Sequence, residues 1–473
     1  MIITNMIGVK WMKKKLYIVA FLLPLLLMLA MPVMAADDRS IDEESIYYIV
    51  VDRFNNGDST NDSDVDRSNP LAYHGGDIQG IIGQLDYIKD MGFTSILLSP
   101  IFENDSNTFY PYHVTDRQEI NRHFGTKDDL KQLVKEAHEK DMKIILDLGI
   151  SSNKGPFDSE LVNTALGWVQ ETDIDGYKID LVEGISPNYI STFTSELTSQ
   201  KENLILIGEP AGLDDLSKFK AAGLDSVFNP IPYEGITSFS VPDQPFNNVD
   251  SIREQNQEFE NTNSLINFMD NTNTVRFTYL ATEANEHPAP RLKSALTYLY
   301  TTPGIPIVFY GTEIALNGSE PPDNLGLMDF RTDQELVEYI TLLSKVRSGV
   351  PALTKGSIEL VKNDAGLLVF KREFEGQIAF VAINNTTKTQ SFSLTTDQVG
   401  QNKELTGLIT EDLIRPTDDE FHVVVNRDIS EVFVVRDTTK INYTLFIAVF
   451  IVPVLMIGFI YLNKKRHGRR KPE

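Results

Sequence analysis

Eight short apolar runs recur along the chain, at 46–51, 94–98, 143–146, 176–179, 204–208, 225–228, 265–268 and 307–310. Between most of them lie stretches with helical spacing, such as L-D-Y-I-K-D-M at 85–91, D-L-K-Q-L-V-K-E-A-H at 129–138 and L-V-N-T-A-L-G-W-V at 161–169. A strand that is apolar at consecutive positions must be covered on both faces, which a parallel sheet flanked by helices provides. Eight strand–helix units predict a (β/α)₈ TIM barrel of the α/β class. A doubly wound open sheet is the alternative. After a helix near 335–348 the helical period stops, and short alternating strands with turn residues occupy 351–436. That pattern predicts an antiparallel β-sandwich. The barrel is expected over 37–349 and the sandwich over 350–440.

Both ends carry apolar segments of another kind. Lys13, Lys14 and Lys15 precede an apolar run from 16 to 34, which closes on V-M-A-A at 33–36. Basic, apolar, then small residues predict a signal peptide over 1–36. Near the other end, T-L-F-I-A-V-F-I-V-P-V-L-M-I-G-F-I-Y-L lacks charge and has the length of a bilayer core. Lys464, Lys465, Arg466, Arg469, Arg470 and Lys471 follow. This predicts a transmembrane helix over 441–463 and a basic cytoplasmic tail over 464–473, with the rest held outside a cell membrane.

The 473 residues include no cysteine, so an exported domain would rest on its core rather than on disulfides. A net charge of −24 argues against nucleic acid as a partner, because phosphate would be repelled.

Chemistry in a parallel α/β barrel sits at the C-terminal ends of the strands. The polar residues there include Asp52, Asp147, Lys178, Asp180, Glu209, Glu313 and the cluster D-N-T-N at 270–273. Asp180 and Glu209 end successive strands at the same level. Two facing carboxylates about 5 Å apart are what a retaining glycosidase requires. A pair of structural ion-pair members is the other possibility.

Several segments, taken in order, are similar to those of the α-amylase family, glycoside hydrolase family 13. Y-Y-I-V-V-D-R-F-N-N-G-D-S-T-N-D resembles the family's first strand and calcium loop, and Y-H-G-G-D-I-Q-G at 73–80 follows it. Y-H-V-T-D at 112–116 and H-F-G-T at 123–126 resemble the second-strand loop. D-I-D-G-Y-K-I-D at 173–180, L-I-G-E-P and P-G-I-P-I-V-F-Y-G-T-E-I at 303–314 resemble the fourth, fifth and eighth strands. The resemblance implies Asp180 as nucleophile, Glu209 as general acid/base and Tyr112 as a ring stacked on the sugar. It also implies one Ca²⁺ held by Asn56, Asp58, Asn61, Asp62 and Asp77. Asn273 stands where the family has a third carboxylate, and Lys178, Asp116, Asn271 and Arg276 are expected to contact substrate.

The chain departs from the family at several of these places. Asp147 is followed by Ser151 and Ser152 where the third-strand motif has Asn and His. Lys178 replaces an Arg two residues before the nucleophile, and Lys cannot make the planar forked contact. The seventh-strand motif N-H-D is Asn271-Thr272-Asn273 here. The small domain usually inserted after the third strand is nearly absent.

Two expectations follow. One is a membrane-anchored extracellular glycoside hydrolase acting on α-glucans or α-glucosides by double displacement, with an α-glucan transferase not separable from it. The other is a non-catalytic protein that binds carbohydrate or another protein on the same scaffold.

Overall fold

The structure is a computed structural model and describes residues 39–104, 112–149, 159–181, 185–210, 216–246, 261–364, 366–438, 451 and 453–461. The chain divides into two compact units. One comprises Met1–Tyr233, Phe259–Tyr279 and Gly304–Ser344; the other comprises Glu234–Glu258, Leu280–Pro303 and Lys345–Glu473.

The first unit is built on eight parallel strands: β1 (Ile46–Ile49), β2 (Ser95–Leu98), β3 (Lys143–Asp147), β4 (Gly176–Leu181), β5 (Ile205–Pro210), β6 (Ser226–Val227), β7 (Ile266–Phe268) and β8 (Ile305–Phe309). Their order is β6-β5-β4-β3-β2-β1-β8-β7. A parallel bridge from Phe228 to Ile266 joins the two edges, and the Asn229 N–H donates to the Ile266 carbonyl at 2.8 Å. The sheet therefore closes into a barrel, and the open-sheet alternative falls. Ile46, Tyr47, Tyr48 and Ile49 are all buried, as a strand covered on both faces must be.

Helix α1 (Lys127–His138) shows how local sequence sets an element. Thr126 and Asp129 form a reciprocal capping box at its start. Leu130, Leu133, Val134 and Ala137 make its buried stripe at spacings of three and four. α2 (Ser159–Thr172) connects β3 to β4. α3 (Pro187–Thr198), which connects β4 to β5, starts with Pro at its first turn behind a Ser186 cap. β4 and β5 run in register from Gly176 opposite Ile205 to Leu181 opposite Pro210. A Cβ on Gly176 would sit 2.2 Å from the Ile205 carbonyl oxygen, so only glycine allows the strands this approach.

The second unit carries β9 (Ser357–Asp364), β10 (Leu367–Phe374), β11 (Gln377–Asn384), β12 (Gln390–Thr395), β13 (Lys403–Gly407), β14 (Leu413–Ile414), β15 (Glu420–Val425) and β16 (Ser430–Asp437). Six form an antiparallel sheet in the order β9-β10-β11-β16-β13-β14, and β12 pairs with β15. Leu367, Val369, Phe380, Phe392, Leu394, Phe421, Val423 and Phe433 fill one core between the layers. This is the expected sandwich.

The membrane expectation is corrected. Among the described residues, no helix is long and apolar enough to cross a membrane. Within the apolar segment 441–463, the described helical residues are 451 and 453–461. The remainder of that segment, the basic tail and the expected signal peptide lie outside the described residues, as does most of the shortened connection after β3, 150–158.

Candidate active site

Asp180 and Glu209 are direct partners across β4 and β5. Lys178 lies two residues before Asp180 and so points to the same side of its strand. Its Nζ stands 2.6 Å from Asp180 Oδ1, 2.6 Å from Glu209 Oε2 and 3.0 Å from Asp147 Oδ2. The two catalytic-candidate oxygens, each 2.6 Å from one nitrogen, are no more than twice that distance apart. Lys178 and Asp147 have no exposed side-chain surface, while Asp180 and Glu209 keep 18% and 16%. The pair thus faces the barrel mouth, and the ammonium holds it from below.

Burial by itself would lower the Lys178 ammonium pKa; Asp147, Asp180 and Glu209 outweigh it and hold the group well above its ordinary value. Burial pushes the Asp147 carboxyl up, to about 7, against the pull of Lys178. All three ammonium hydrogens have a carboxylate to meet, so the charge is compensated without solvent.

Tyr112 closes a second side of this cluster. Its hydroxyl donates to Asp147 Oδ2 at 3.0 Å and lies 2.6 Å from the Tyr48 hydroxyl and 3.2 Å from Thr272 Oγ1. Its ring centre is 5.5 Å from Lys178 Nζ. Tyr48, at the middle of β1, also reaches Asp147 at 3.5 Å.

The polar cluster after β7 divides into working and structural halves. Asn271 Nδ2 donates to Glu209 Oε1 at 3.3 Å, and Asn271 Oδ1 accepts the Asn273 N–H at 2.8 Å. Asn273 itself is exposed. Asp270 is buried, accepts the Phe277 N–H at 2.7 Å and the Thr312 hydroxyl at 3.3 Å, and its pKa is raised by burial. Asn324 pins the loop: its Nδ2 donates to the carbonyls of Asn271, Thr272 and Thr274 at 3.3, 3.2 and 2.8 Å.

Two of the expected substrate contacts are not brought to the pair. Arg276 is fully buried; its Nε donates to the Asn324 carbonyl and a terminal nitrogen to the Tyr310 carbonyl, each at 2.8 Å, so the guanidinium builds the loop instead of facing a ligand. Asp116 is exposed on a hairpin formed by Phe102–Asn104 and Val114–Ile120, where its carboxylate accepts the Gln118 N–H at 2.8 Å. No described contact joins it to Lys178 or the pair. Tyr48 and Asn324 are participants that sequence reasoning did not single out, and Thr272 entered it only as a departure from the seventh-strand motif. Two hollows, of about 540 and 550 Å³, lie on the helical exterior beside Lys127 and Trp168 and beside His138 and Asp173.

The five residues expected to hold a cation form two contact groups, Asp58 and Asn61 with Asp77, and Asn56 with Asp62. Buried Asp77 accepts the N–H groups of Gly57, Asp58 and Gly80 at 3.0, 2.8 and 2.6 Å, and Asn61 Nδ2 at 3.4 Å. Asn56 Nδ2 donates to both oxygens of Asp62, at 2.8 and 2.9 Å, and Asp58 Oδ1 accepts the Thr60 N–H. The donor set is all oxygen, and Asn61 Oδ1 is buried with no hydrogen-bond partner, which fits a hard cation. Among the described residues, however, no three acidic or histidine side chains converge as a metal cluster.

Comparison with known proteins agrees with this geometry. The alpha amylase catalytic domain matches residues 48–154, and the alpha-amylase C-terminal domain matches 356–433. A Beta/alpha-amylase of Paenibacillus polymyxa is 28% identical over 79% of this chain, which spans only 36% of that longer protein. A Cyclomaltodextrinase of Thermoanaerobacter pseudethanolicus is 25% identical, covering 73% of this chain and 70% of that one. The crystal structure of an Anoxybacillus alpha-amylase superposes with a TM-score of 0.80 at 39% identity, covering 85% of this chain and 100% of that one. The alpha-amylase of Geobacillus thermoleovorans, complexed with acarbose, gives 0.79 at 36% identity, with 85% and 100% covered. On the fold, the ordered motifs and these full-length matches, the chain belongs to the alpha-amylase family, glycoside hydrolase family 13.

Proposed function

We propose that the protein is a retaining α-glycosidase acting on α-glucans or α-gluco-oligosaccharides. The observation that carries this is the in-register facing of Asp180 and Glu209, at a separation suited to double displacement. Asp180 attacks the anomeric carbon while Glu209 gives its proton to the departing glycosidic oxygen, whose bond to carbon breaks with its electron pair. Glu209 then takes a proton from water, and that water displaces Asp180 from the sugar. Lys178 keeps Asp180 aimed, and Tyr112 offers its ring as the platform for the sugar. That the Geobacillus neighbour is an alpha-amylase complexed with acarbose supports this substrate class.

A Ca²⁺ ion, in this proposal, is held by Asn56, Asp58, Asn61, Asp62 and Asp77, where it would cross-link the loop after β1 to the segment that follows. Hydrolysis versus transfer to another sugar depends on what reaches the intermediate first, and the hydrolase reading is taken from the family.

One observation favours a second reading. Asn273 replaces a carboxylate, and Lys178 has one nitrogen where a guanidinium would give separate donors to each acid. Carbohydrate binding without turnover is the result. The experiment that separates them is hydrolysis of maltotriose and 4-nitrophenyl α-maltoside, with Asp180→Ala as control. Turnover abolished by the substitution supports the enzyme; equal rates from both proteins reject it; binding without turnover supports the second reading.

A further inference from the structure

We infer that Thr272 is a positioning residue that acts through Tyr112, fixing the sugar platform to the loop after β7; this rests on the saccharide reading of the site. A phenol can donate once and accept twice. The Tyr112 hydroxyl spends its hydrogen on Asp147 Oδ2 at 3.0 Å, which leaves its lone pairs for Tyr48 at 2.6 Å and Thr272 at 3.2 Å. The Tyr48 contact comes from β1, at the wall of the barrel. Thr272 alone among these partners comes from the loop that also carries Asn271, which holds Glu209.

Thr272 is itself immobilised. It is 1% exposed, and its carbonyl accepts Asn324 Nδ2 at 3.2 Å. Asn324 is fully buried, and its own carbonyl accepts Arg276 Nε. A chain of contacts therefore runs from Arg276 through Asn324 and Thr272 to the Tyr112 ring. Asp147 and Tyr48 hold the Tyr112 hydroxyl from the barrel wall and Thr272 holds it from the loop, so removing the Thr272 hydroxyl loosens the tie to the loop. At this position the family motif has a histidine, a side chain long enough to reach a ligand itself. A threonine is too short for that role, and in this chain it grips the aromatic ring instead.

The test uses the full chain with Thr272→Val, which keeps the shape and removes the hydroxyl, and Thr272→Ser, which keeps the hydroxyl. Maltotriose and acarbose dissociation constants are measured by calorimetry, with kcat and KM for maltotriose alongside. The expected result for Thr272→Val is binding weakened about fivefold, in the range of one neutral hydrogen bond, with the loss in KM more than in kcat. Thr272→Ser restores binding to within about twofold. In a Tyr112→Phe background, which lacks the phenol, Thr272→Val has no further effect. Unchanged affinity in Thr272→Val, or failure of serine to rescue, overturns the inference while the saccharide reading stands. Failure of the native chain to bind either sugar removes both. Should Thr272→Val not fold, the serine variant and Tyr112→Phe decide: a loss in serine, or none in phenylalanine, overturns it.

Discussion

Asp180 and Glu209 stand opposite each other on neighbouring parallel strands and share one donor, the Lys178 ammonium, at 2.6 Å each. One nitrogen therefore bridges the pair, and a third carboxylate, Asp147, shares it from beneath.

The two acids should respond differently to the leaving group. Glu209→Gln is expected to slow maltotriose cleavage about 10²–10⁴-fold but to spare an activated aryl α-maltoside, whose departing oxygen needs little protonation. Asp180→Asn should abolish both, because no glycosyl ester forms. Steady-state rates on the two substrates check this; equal losses in Glu209→Gln would assign that residue another role.

Replacing Lys178 with methionine leaves three neighbouring carboxylates, one fully buried, without their counter-charge. Breaking such a group costs about 3–5 kcal/mol of stability. Denaturant unfolding should show that loss, and Lys178→Arg should recover most of it by keeping the charge. A methionine variant as stable as the native protein would mean the carboxylates are not ionised together.

Chelation tests the loop around Asn61. If Ca²⁺ fills the place facing the orphaned Asn61 Oδ1, removing it lowers the thermal midpoint by several degrees, since a site saturated about 100-fold adds about 2.7 kcal/mol. Asp62→Ala should have the low midpoint with or without calcium. An unchanged midpoint in the native chain rejects the ion.

His138 offers a pH test far from the chemistry. Its Nε2 meets Asp175 Oδ2 at 2.8 Å, and that hydrogen bond raises its pKa above the ordinary value, against burial and the nearby Lys201; Asp173 adds to the rise. A raised cationic group stabilises the fold fully below its unfolded value of about 6.5 and loses that contribution as pH climbs through the folded value. The midpoint difference between native and His138→Gln should thus be largest at acidic pH and shrink above neutrality. A constant difference would show that only packing is lost.

The barrel was legible because its strands are continuous apolar runs, and the level of Asp180 and Glu209 could be read because each follows directly on its run, at 176–179 and 204–208. The web around Tyr112 was not. Tyr48, Asp147 and Thr272 are brought together from β1, β3 and the loop after β7, so no local pattern announces them. The place of Arg276 was not legible either, because its Nε and one terminal nitrogen go to the Asn324 and Tyr310 carbonyls, partners distant in sequence. The apolar segment near the C-terminus is a different case: its composition suggested a span, and among the described residues no helix is long and apolar enough to cross a membrane.

The stereochemistry of the first product tests the account most directly. Proton NMR during maltotriose cleavage resolves the newly formed reducing end before it mutarotates. A pair at this spacing predicts that the α-anomer appears first and equilibrates afterwards, with no product from Asp180→Asn. Initial release of the β-anomer, or equal product from the variant, would contradict the double displacement assigned to Asp180 and Glu209.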